Sequence, residues 1–450
     1  MVTDLVDRIE DRSPRGIAAA VSRLISSGAL TPGSRLPTVR ELAARLGTSP
    51  TTVHEAWRML SRVGAVESRG RLGTFVLNVP RPHGPRRYRR MYDGPGNFRL
   101  DLSTGTPDPR LLPDLGPVLA RVSRRVVTTS YLDDPVVPEL DEQLRLSWPF
   151  PPEAMTVVDG ALDALDRIAS VTLRLGDRVL VEASTFPPLL DLLEQIGAEP
   201  IGLAIDESGI VPAALQEALA REPVALILQP RAHNPTGVRT TAPRVRKLAA
   251  VLRGTDVLVI EDDHSGDIAS GADVSLGKHL PGQTVHIRSF SKSHGPDLRL
   301  AAVGGAGAVV SPVADRRLLG PGWSSRLLQS VLVELLRDPA SVAAVHEARA
   351  TYAVRRAALT SCLAELGVAY SGTDGINLWV AVPDEQTALL SLAAQGIGVA
   401  AGTPFVVSPG VADHVRVTIA SLADGHGEIA EHLAAAAQAP AGRARWSRHR

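Results

Sequence analysis

The chain has 450 residues, with 48 basic and 48 acidic side chains and one cysteine, Cys362. This length allows two or three domains, and a single cysteine excludes an intramolecular disulfide and fits a reducing compartment. The longest uncharged apolar run, residues 300–314, is interrupted by three glycines and a proline, which excludes a membrane span. The acidic first eight residues lack the apolar core of a signal peptide. We therefore expect a cytoplasmic protein, and we predict no metal site.

The net charge of zero conceals an uneven distribution along the chain. Residues 1–92 contain sixteen arginines and seven acidic residues, a formal charge of about +9, so the remaining residues carry about −9. A basic N-terminal part joined to an acidic body indicates two different partners, and a polyanion is the first candidate for the basic part. An ordinary solvated basic surface would have the same charge, so charge alone leaves both interpretations open.

Three short helices followed by a hairpin are predicted within residues 1–78. Capping residues predict helix starts at residues 14, 39 and 50, and glycines end the helices near residues 28, 47 and 64. The tight turn at residues 46–49 is typical of a helix-turn-helix, whose second helix reaches base edges with its first residues. The basic, glycine-containing segment 69–76 predicts a wing. The residues expected to contact DNA are Ser49, Thr51, Thr52, His54 and, in the wing, Arg71.

This N-terminal stretch resembles the winged helix of GntR-type regulators. The resemblance rests on segments 33–43 (GSRLPTVRELA), 46–49 (LGTS), 52–53 (TV) and 73–76 (GTFV). It implies that Arg35 and Arg40 contact DNA backbone or bases and that Gly73 lies in the wing. Pro50 stands where that family often carries another arginine, so the resemblance implies DNA binding without implying a base preference.

Residues 79–100 form a linker rich in proline and arginine, for which a passive tether and a segment that touches DNA phosphates both remain open. From residue 101 to residue 436, apolar strand-like runs at 179–181, 224–228, 257–260 and 285–287 alternate with helical stretches. This alternation predicts an α/β domain with a mostly parallel sheet. Residues 437–450 are arginine-rich and without periodicity, and we expect them to be disordered.

Lys292 is one of only three lysines, against 45 arginines. A Schiff base requires a primary amine, whereas arginine can serve as an ordinary surface cation. Pyridoxal phosphate would also need an acid at its ring nitrogen, a donor to its phenolic oxygen, a stacking ring and a phosphate cup. The chain offers Asp262 for the ring nitrogen, Asn234 for the phenolic oxygen, Phe186 for stacking, and Gly160, Ala161, Ser289, Ser291 and Arg299 for the phosphate. We therefore predict that pyridoxal phosphate is held as an internal aldimine on Lys292.

The body, residues 101–436, resembles the fold-type I aminotransferases. The whole chain resembles the MocR/GabR family, in which a GntR-type winged helix is fused to an aminotransferase-like domain. Further support comes from segments 103–108 (STGTPD), 177–182 (DRVLVE) and 375–380 (GINLWV). The resemblance implies a homodimeric transcriptional regulator, typically head-to-tail, that senses pyridoxal phosphate or an amino compound. It also implies that Arg416 holds the carboxylate of the effector.

Four positions depart from the family pattern. His264 replaces a tyrosine; it can still hydrogen-bond the phenolic oxygen, and we expect its imidazole to titrate near neutrality. Asp159 and Asp163 flank the phosphate cup, where negative charge is unfavourable unless it points away. Leu190 stands where related sensors can carry an effector-binding arginine. These differences leave the identity of the effector open.

Three functions remain to be distinguished. The first is a DNA-binding regulator that senses pyridoxal phosphate or an amino compound. The second is a working pyridoxal phosphate-dependent aminotransferase that carries a DNA-binding domain, in which Lys292 would also transfer a proton. The third is a regulator that has lost its cofactor. The basic winged helix favours the first, with transamination not expected as the main role.

Overall fold

The computed structural model describes residues 5–6, 8–9, 11–26, 28–62, 64–77, 86–90, 98–124, 130–408 and 411–439. Much of the predicted linker and most of the predicted C-terminal tail lie outside these ranges. Within them, no helix is both long and apolar enough to cross a membrane.

The N-terminal domain is a winged helix with one apolar core. Its helices are α1 (Pro14–Ser26), α2 (Val39–Leu46) and α3 (Pro50–Arg62). Strands β1 (Val66–Ser68) and β2 (Thr74–Val76) pair antiparallel and form the wing. The predicted helix starts are confirmed. The capping box on α2 is confirmed as well, because Thr38 Oγ1 accepts from the Glu41 amide at 3.3 Å and Glu41 Oε2 accepts from the Thr38 amide at 3.0 Å.

A seven-stranded sheet forms the centre of the large domain. The strands that follow the linker are β3 (Leu100–Asp101), β4 (Ala154–Val158), β5 (Arg178–Glu182), β6 (Glu199–Leu203), β7 (Ile205–Asp206), β8 (Gly209–Ile210), β9 (Ala225–Leu228), β10 (Leu258–Asp263), β11 (Thr284–Ser289) and β12 (Ala301–Gly305). The central sheet has the order β4-β12-β11-β10-β9-β5-β6, and only β12 runs antiparallel to its neighbours. The predicted α/β class with a mostly parallel sheet is therefore confirmed.

Helices cover both faces of this sheet. A short linker helix, α4 (Arg86–Arg90), precedes the domain, whose helices are α5 (Leu115–Val122), α6 (Pro138–Leu146), α7 (Ala161–Thr172), α8 (Pro187–Ile196), α9 (Pro212–Leu219), α10 (Ala242–Leu252), α11 (Gly307–Leu318), α12 (Arg326–Arg337), α13 (Pro339–Glu365), α14 (Glu385–Ala394) and α15 (His426–Gln438). Along β5, Val179 and Val181 enter one apolar core and Leu180 enters another. Because successive side chains of a strand point to opposite faces, this pattern explains why the strand is apolar throughout.

A smaller lobe packs against the sheet domain. Its strands are β13 (Tyr370–Ser371), β14 (Asn377–Ala381), β15 (Ile397–Gly398), β16 (Ala400–Ala401) and β17 (His414–Thr418). Four of them form a sheet in the order β13-β14-β17-β16, while β15 pairs with β3. Helices α13, α14 and α15 cover this sheet and share its core. Helix α15 extends to Gln438, two residues past the predicted domain end at residue 436.

The carboxyl ends of four central strands bring polar residues to one edge of the large sheet. Strand β10 ends in Asp262 and Asp263, β11 is followed by the turn that carries Lys292, β9 is followed by Gln229, and β4 is followed by Gly160. These four strands run in the same direction, because β12 is antiparallel to both β4 and β11. In open α/β sheets this edge is where ligands bind.

Candidate functional site

A cavity of about 1100 Å³ opens at this edge of the sheet. Nine predicted site residues line it: Ala161, Phe186, Asn234, Asp262, His264, Ser289, Ser291, Lys292 and Arg299. The cavity continues to the N-terminal domain, where Ser22, Ile25 and Ala65 also line it. The structure therefore brings residues from five separate stretches of the large domain together, and it joins their cavity to the winged helix.

Lys292 lies in the turn after β11, with its Nζ donating to the carbonyl oxygen of Gly105. Burial, together with the positive charge of Arg416, lowers the pKa of Lys292 to about 8. A lower pKa leaves a larger share of the amine neutral at physiological pH. Only the neutral amine has the lone pair that attacks a carbonyl carbon, so the surroundings of Lys292 favour nucleophilic chemistry.

Asp262 is 3% exposed and faces the cavity from the end of β10. Its Oδ2 accepts from Gln229 Nε2 at 2.9 Å, and its Oδ1 is a buried acceptor without a hydrogen-bond partner among the described residues. Burial raises the pKa of Asp262 to about 6, even though the bond from Gln229 opposes the rise. A cationic N–H donor at Oδ1 would satisfy this atom and would stabilise the charged carboxylate.

Asn234 lines the cavity and contacts Arg416 of the small lobe, which is not among the lining residues. Arg416 Nη1 donates to Asn234 Oδ1 at 3.2 Å, and Arg416 Nη2 donates to the carbonyl oxygen of Ser103. Arg416 is 1% exposed on β17, and its guanidinium lies 5.0 Å from the centre of the Phe405 ring. Because the oxygen of Asn234 serves as an acceptor, its Nδ2 is the atom that would donate to a ligand oxygen.

His264 hydrogen-bonds to protein atoms on both sides of its ring. Its Nε2 donates to the carbonyl oxygen of Ala232 at 3.1 Å, and its Nδ1 lies 3.4 Å from Ser265 Oγ. Burial and the nearby charge of Lys292 lower the pKa of His264 to about 4. The expectation that this imidazole titrates near neutrality is therefore wrong: it is neutral at physiological pH. His264 lines the cavity with its Nε2 hydrogen directed at Ala232, and a hydrogen bond from this residue to the phenolic oxygen stays a prediction.

The part of the cavity predicted to hold a phosphate is built around Arg299. Gly160, the residue before α7, has φ of 108°, and a Cβ there would lie 2.9 Å from Arg299 Nη2, so a side chain would displace the guanidinium. Arg299 Nη2 donates to the carbonyl oxygen of Asp159 at 3.0 Å. Ser289 Oγ accepts from the Ser291 amide at 3.3 Å, which places both serines in the same turn. Amides at the start of α7, hydroxyls and a guanidinium form a set that suits a phosphate.

The winged helix exposes most of the residues that the sequence predicts to contact DNA. Ser49 caps α3, since its Oγ accepts from the Thr52 amide at 3.1 Å, and its hydroxyl lies 2.8 Å from that of Thr52. Arg40, Thr51 and His54 are exposed.

Arg35 supports the wing. It forms a β-bridge with Phe75, and a Cβ at Gly73 would lie 2.7 Å from Arg35 Nε. Position 73 therefore favours glycine, because Arg35 approaches closely and because the backbone there has a φ of 109°. The side chain of Arg71 lies outside the described part of the structure.

Two family descriptions cover most of the chain. "Bacterial regulatory proteins, gntR family" matches residues 14–76, and "Aminotransferase class I and II" matches residues 100–432. The vitamin B6 salvage pathway transcriptional repressor PtsJ of Salmonella typhimurium is 34% identical over 423 residues, which is 92% of this chain and 96% of PtsJ. The chain belongs to the MocR-type regulators. The resemblance inferred from the motifs is thus confirmed, and so is the function class of a DNA-binding transcriptional regulator.

Other relatives combine the same two domains. The transcriptional regulator TauR of Rhodobacter capsulatus is 28% identical, with 86% of this chain and 88% of TauR covered. The pyridoxine biosynthesis regulator PdxR of Corynebacterium glutamicum is 28% identical, with 77% of this chain and 75% of PdxR covered. Among solved structures, the α-aminoadipate aminotransferase LysN of Thermus thermophilus matches 78% of this chain and 94% of its own with a TM-score of 0.69 and 23% identity. That likeness shows the aminotransferase fold.

Membership of this MocR-type family and its aminotransferase domain imply that the protein binds pyridoxal phosphate. The residues of the cavity fit this cofactor. Among the described residues, the buried Oδ1 of Asp262 has no hydrogen-bond donor, and a protonated ring nitrogen would supply one. Lys292, which lines the same cavity, has a lowered pKa. Arg299 lies against Gly160 where only glycine fits.

Several residues that shape the site were not found from the sequence. Gln229 joins two predicted site residues, because its Nε2 donates to Asp262 and its Oε1 accepts from the Asn234 amide at 2.7 Å. Its position directly after a predicted strand was the signal that could have identified it. Trp379 and Phe405 pack with Phe186 in a cluster beside Arg416, and no local sequence pattern connects these residues.

Proposed function

We propose that the protein is a transcriptional regulator that senses pyridoxal phosphate through Lys292 and adjusts DNA binding accordingly. The observation that carries this proposal is the continuity of the cavity: the same space is lined by Lys292 and Asp262 in the large domain and by Ile25 and Ala65 in the winged helix. Filling or emptying it would change surfaces of both domains. The naming of PtsJ and PdxR after vitamin B6 and pyridoxine pathways supports the cofactor itself as the effector.

Each cofactor-binding role follows from the chemistry of the residue. When bound, pyridoxal phosphate supplies an aldehyde that reacts reversibly with a primary amine and a ring that withdraws electrons. Lys292 would provide the amine, and Asp262 would hold a proton at the ring nitrogen. The Nδ2 of Asn234 would donate to the phenolic oxygen, and Phe186 would cover the ring. The phosphate would be held by Ser289, Ser291, Arg299, Gly160 and Ala161.

The linker helix α4 provides a second route from the cavity to the winged helix. Asp191, on α8, accepts hydrogen bonds from the backbone amides of Arg87 at 3.0 Å and Tyr88 at 3.0 Å. Arg87 Nη1 also donates to the carbonyl oxygen of Val406 at 3.3 Å. Helix α8 begins directly after Phe186, and Val406 follows Phe405, the ring beneath Arg416. A shift of either cavity wall would therefore move the linker helix.

The winged helix would bind DNA through the exposed face described above. Arg35 and Arg40 supply positive charge, while Ser49, Thr51, Thr52 and His54 stand at the start of the recognition helix α3. Phosphate contacts position such a domain, and base contacts at the start of α3 would specify the sequence. We propose that two copies bind together as a homodimer, head-to-tail, in the cytoplasm, where the DNA partner is found.

A second candidate effector is an amino compound that carries a carboxylate. It is favoured by Arg416, a buried guanidinium that contacts Asn234 on the wall of the cavity. A guanidinium can hold a carboxylate through two parallel hydrogen bonds. The amine of such a compound would compete with Lys292 for the cofactor. Catalytic transamination would further require release of a keto acid, which distinguishes an enzyme from a sensor.

The deciding experiment measures two quantities in the same sample. Purified protein freed of cofactor would be titrated with pyridoxal phosphate while visible absorption and the affinity for a DNA fragment, selected from genomic DNA by the protein itself, are recorded. We expect a visible band to appear and DNA affinity to change over the same concentration range. A second titration of the loaded protein with amino acids, with keto acid analysis, tests the other effector and the enzyme. DNA affinity that responds to neither titration would refute sensing.

A further inference from the structure

The phosphate end of the cavity is bordered by two carboxylates, Asp159 and Asp163, which precede and follow the start of α7. A phosphate dianion placed near two uncompensated carboxylates would be repelled. The side chain of Asp159 is 45% exposed and that of Asp163 is 22% exposed, so solvent and salt screen part of this repulsion. Neither carboxylate belongs to the residues that line the cavity. The hydrogen-bond partners of the two carboxylates explain why they do not face the cavity.

Arg317, near the end of α11, binds both carboxylates and is not among the residues that line the cavity. Its Nη1 lies 3.3 Å from Asp159 Oδ2 and 3.2 Å from Asp163 Oδ2, and its Nη2 donates to Ser324 Oγ at 3.0 Å. Ser324 Oγ in turn donates to Asp159 Oδ1 at 2.6 Å. Arg167 adds a bond to Asp163 Oδ2 at 2.8 Å. The side chain of Arg317 is 1% exposed, so these contacts are made by a buried residue and not by a mobile surface side chain.

This cluster is formally neutral, since Arg317 and Arg167 match Asp159 and Asp163 in charge. Both carboxylates are held on the side of Arg317, and the backbone of residue 159 is fixed from two directions. Its amide donates to Asp163 Oδ2 at 3.1 Å, and its carbonyl oxygen accepts from Arg299 Nη2 at 3.0 Å. Because Arg317 and Arg167 neutralise the two carboxylates, the charge of Arg299 can interact with the ligand. The fixed turn at Gly160 also positions the backbone amides at the start of α7.

We propose that Arg317 is a positioning residue for the phosphate of pyridoxal phosphate. It does not line the cavity; it neutralises Asp159 and Asp163 and turns them away from the predicted phosphate site. The inference rests on cofactor binding by the family and is independent of the sensing role. It also answers the question that the sequence raised, because the two acids are compatible with an anion only while a buried arginine holds them.

The test compares two ligands that differ only in the phosphate. Affinities for pyridoxal phosphate and for pyridoxal would be measured by absorption titration for the natural protein and for Arg317→Met, Arg317→Lys and Arg316→Met. Arg316 is exposed on the same helix, so its variant matches the loss of charge without touching the two acids. For Arg317→Met we expect affinity for pyridoxal phosphate to fall about tenfold or more, while pyridoxal affinity changes less than about twofold. Arg316→Met should leave both affinities unchanged.

Two further measurements separate charge from damage to the fold. Arg317→Lys retains the charge, so it should recover most of the affinity for pyridoxal phosphate. Added salt should reduce the difference in that affinity between Arg317→Met and the natural protein. If Arg317→Met does not fold, Arg317→Met combined with Asp159→Asn and Asp163→Asn removes the unmatched charges, and it should bind pyridoxal phosphate within about threefold of the natural protein. Equal losses for both ligands, or a triple variant that folds but has lost the preference for the phosphorylated ligand, would overturn the proposal.

Discussion

In the winged helix, most of the residues predicted to contact DNA are exposed on the surface, whereas in the large domain Asp262 is 3% exposed and Arg416 is 1% exposed. Exposed cations act on a polyanion through screened, roughly additive contributions. Buried polar groups lie in a medium of low dielectric, where the loss of a single partner atom can leave a charge without stabilisation. Substitutions in the winged helix should therefore have graded effects on DNA affinity, whereas substitutions in the cavity should have all-or-none effects on cofactor binding.

The largest expected effect is that of Lys292→Ala. It removes the amine that would hold the cofactor, so visible absorption of bound pyridoxal phosphate should disappear completely while the protein remains folded. Lys247→Ala, at an exposed lysine on α10, is the control and should retain the full band. A persistent band with the cofactor covalently attached at another lysine would show that the cavity does not depend on this single residue.

The pH dependence of cofactor incorporation is the next test of the buried site. The pKa of Lys292 is lowered to about 8, so below that pH the neutral, reactive fraction of the amine falls about tenfold for each pH unit. The rate at which pyridoxal phosphate is captured should rise with pH up to about 8 and level off above it. Stopped-flow absorption would measure it, with free N-acetyl-lysine as the control. A rate that keeps rising to pH 10 would mean that the lysine is not perturbed.

Arg40→Ala examines the exposed surface, where we expect a graded loss. Removing one cation that meets a phosphate should weaken DNA binding roughly fivefold to tenfold and reduce the slope of log affinity against log salt by about one. Fluorescence anisotropy at several salt concentrations would measure both. Arg253→Ala, an equal change of charge at an exposed residue of the large domain, is the control. Affinity and slope that match the natural protein would remove Arg40 from the interface.

The same contrast explains what the sequence could predict. Capping signals, the wing and the strand-end acid Asp262 could be predicted because each is a local pattern, and Lys292 could be predicted because lysine is rare in this chain. Parallel strands then bring such residues to one edge of the sheet. Gln229 and Arg317 were not found, because their roles depend on contacts between distant segments; Arg317 lies 154 residues from Asp163. The neutral state of His264 also depends on burial, which a single residue does not reveal.

The smallest expected effect concerns the connection between the two regions. Asp191→Ala removes the carboxylate that accepts from the amides of Arg87 and Tyr88, so the linker helix should follow the cavity walls less closely. We expect the change in DNA affinity caused by pyridoxal phosphate to shrink about threefold, with each affinity measured alone nearly unchanged, because substitutions between coupled sites typically alter coupling by about 0.5–2 kcal/mol. Glu194→Ala breaks only the exposed pair with Arg86 and should have less effect, since such pairs contribute about 0–1 kcal/mol. An undiminished response in Asp191→Ala would assign the connection to the shared cavity rather than to the linker helix.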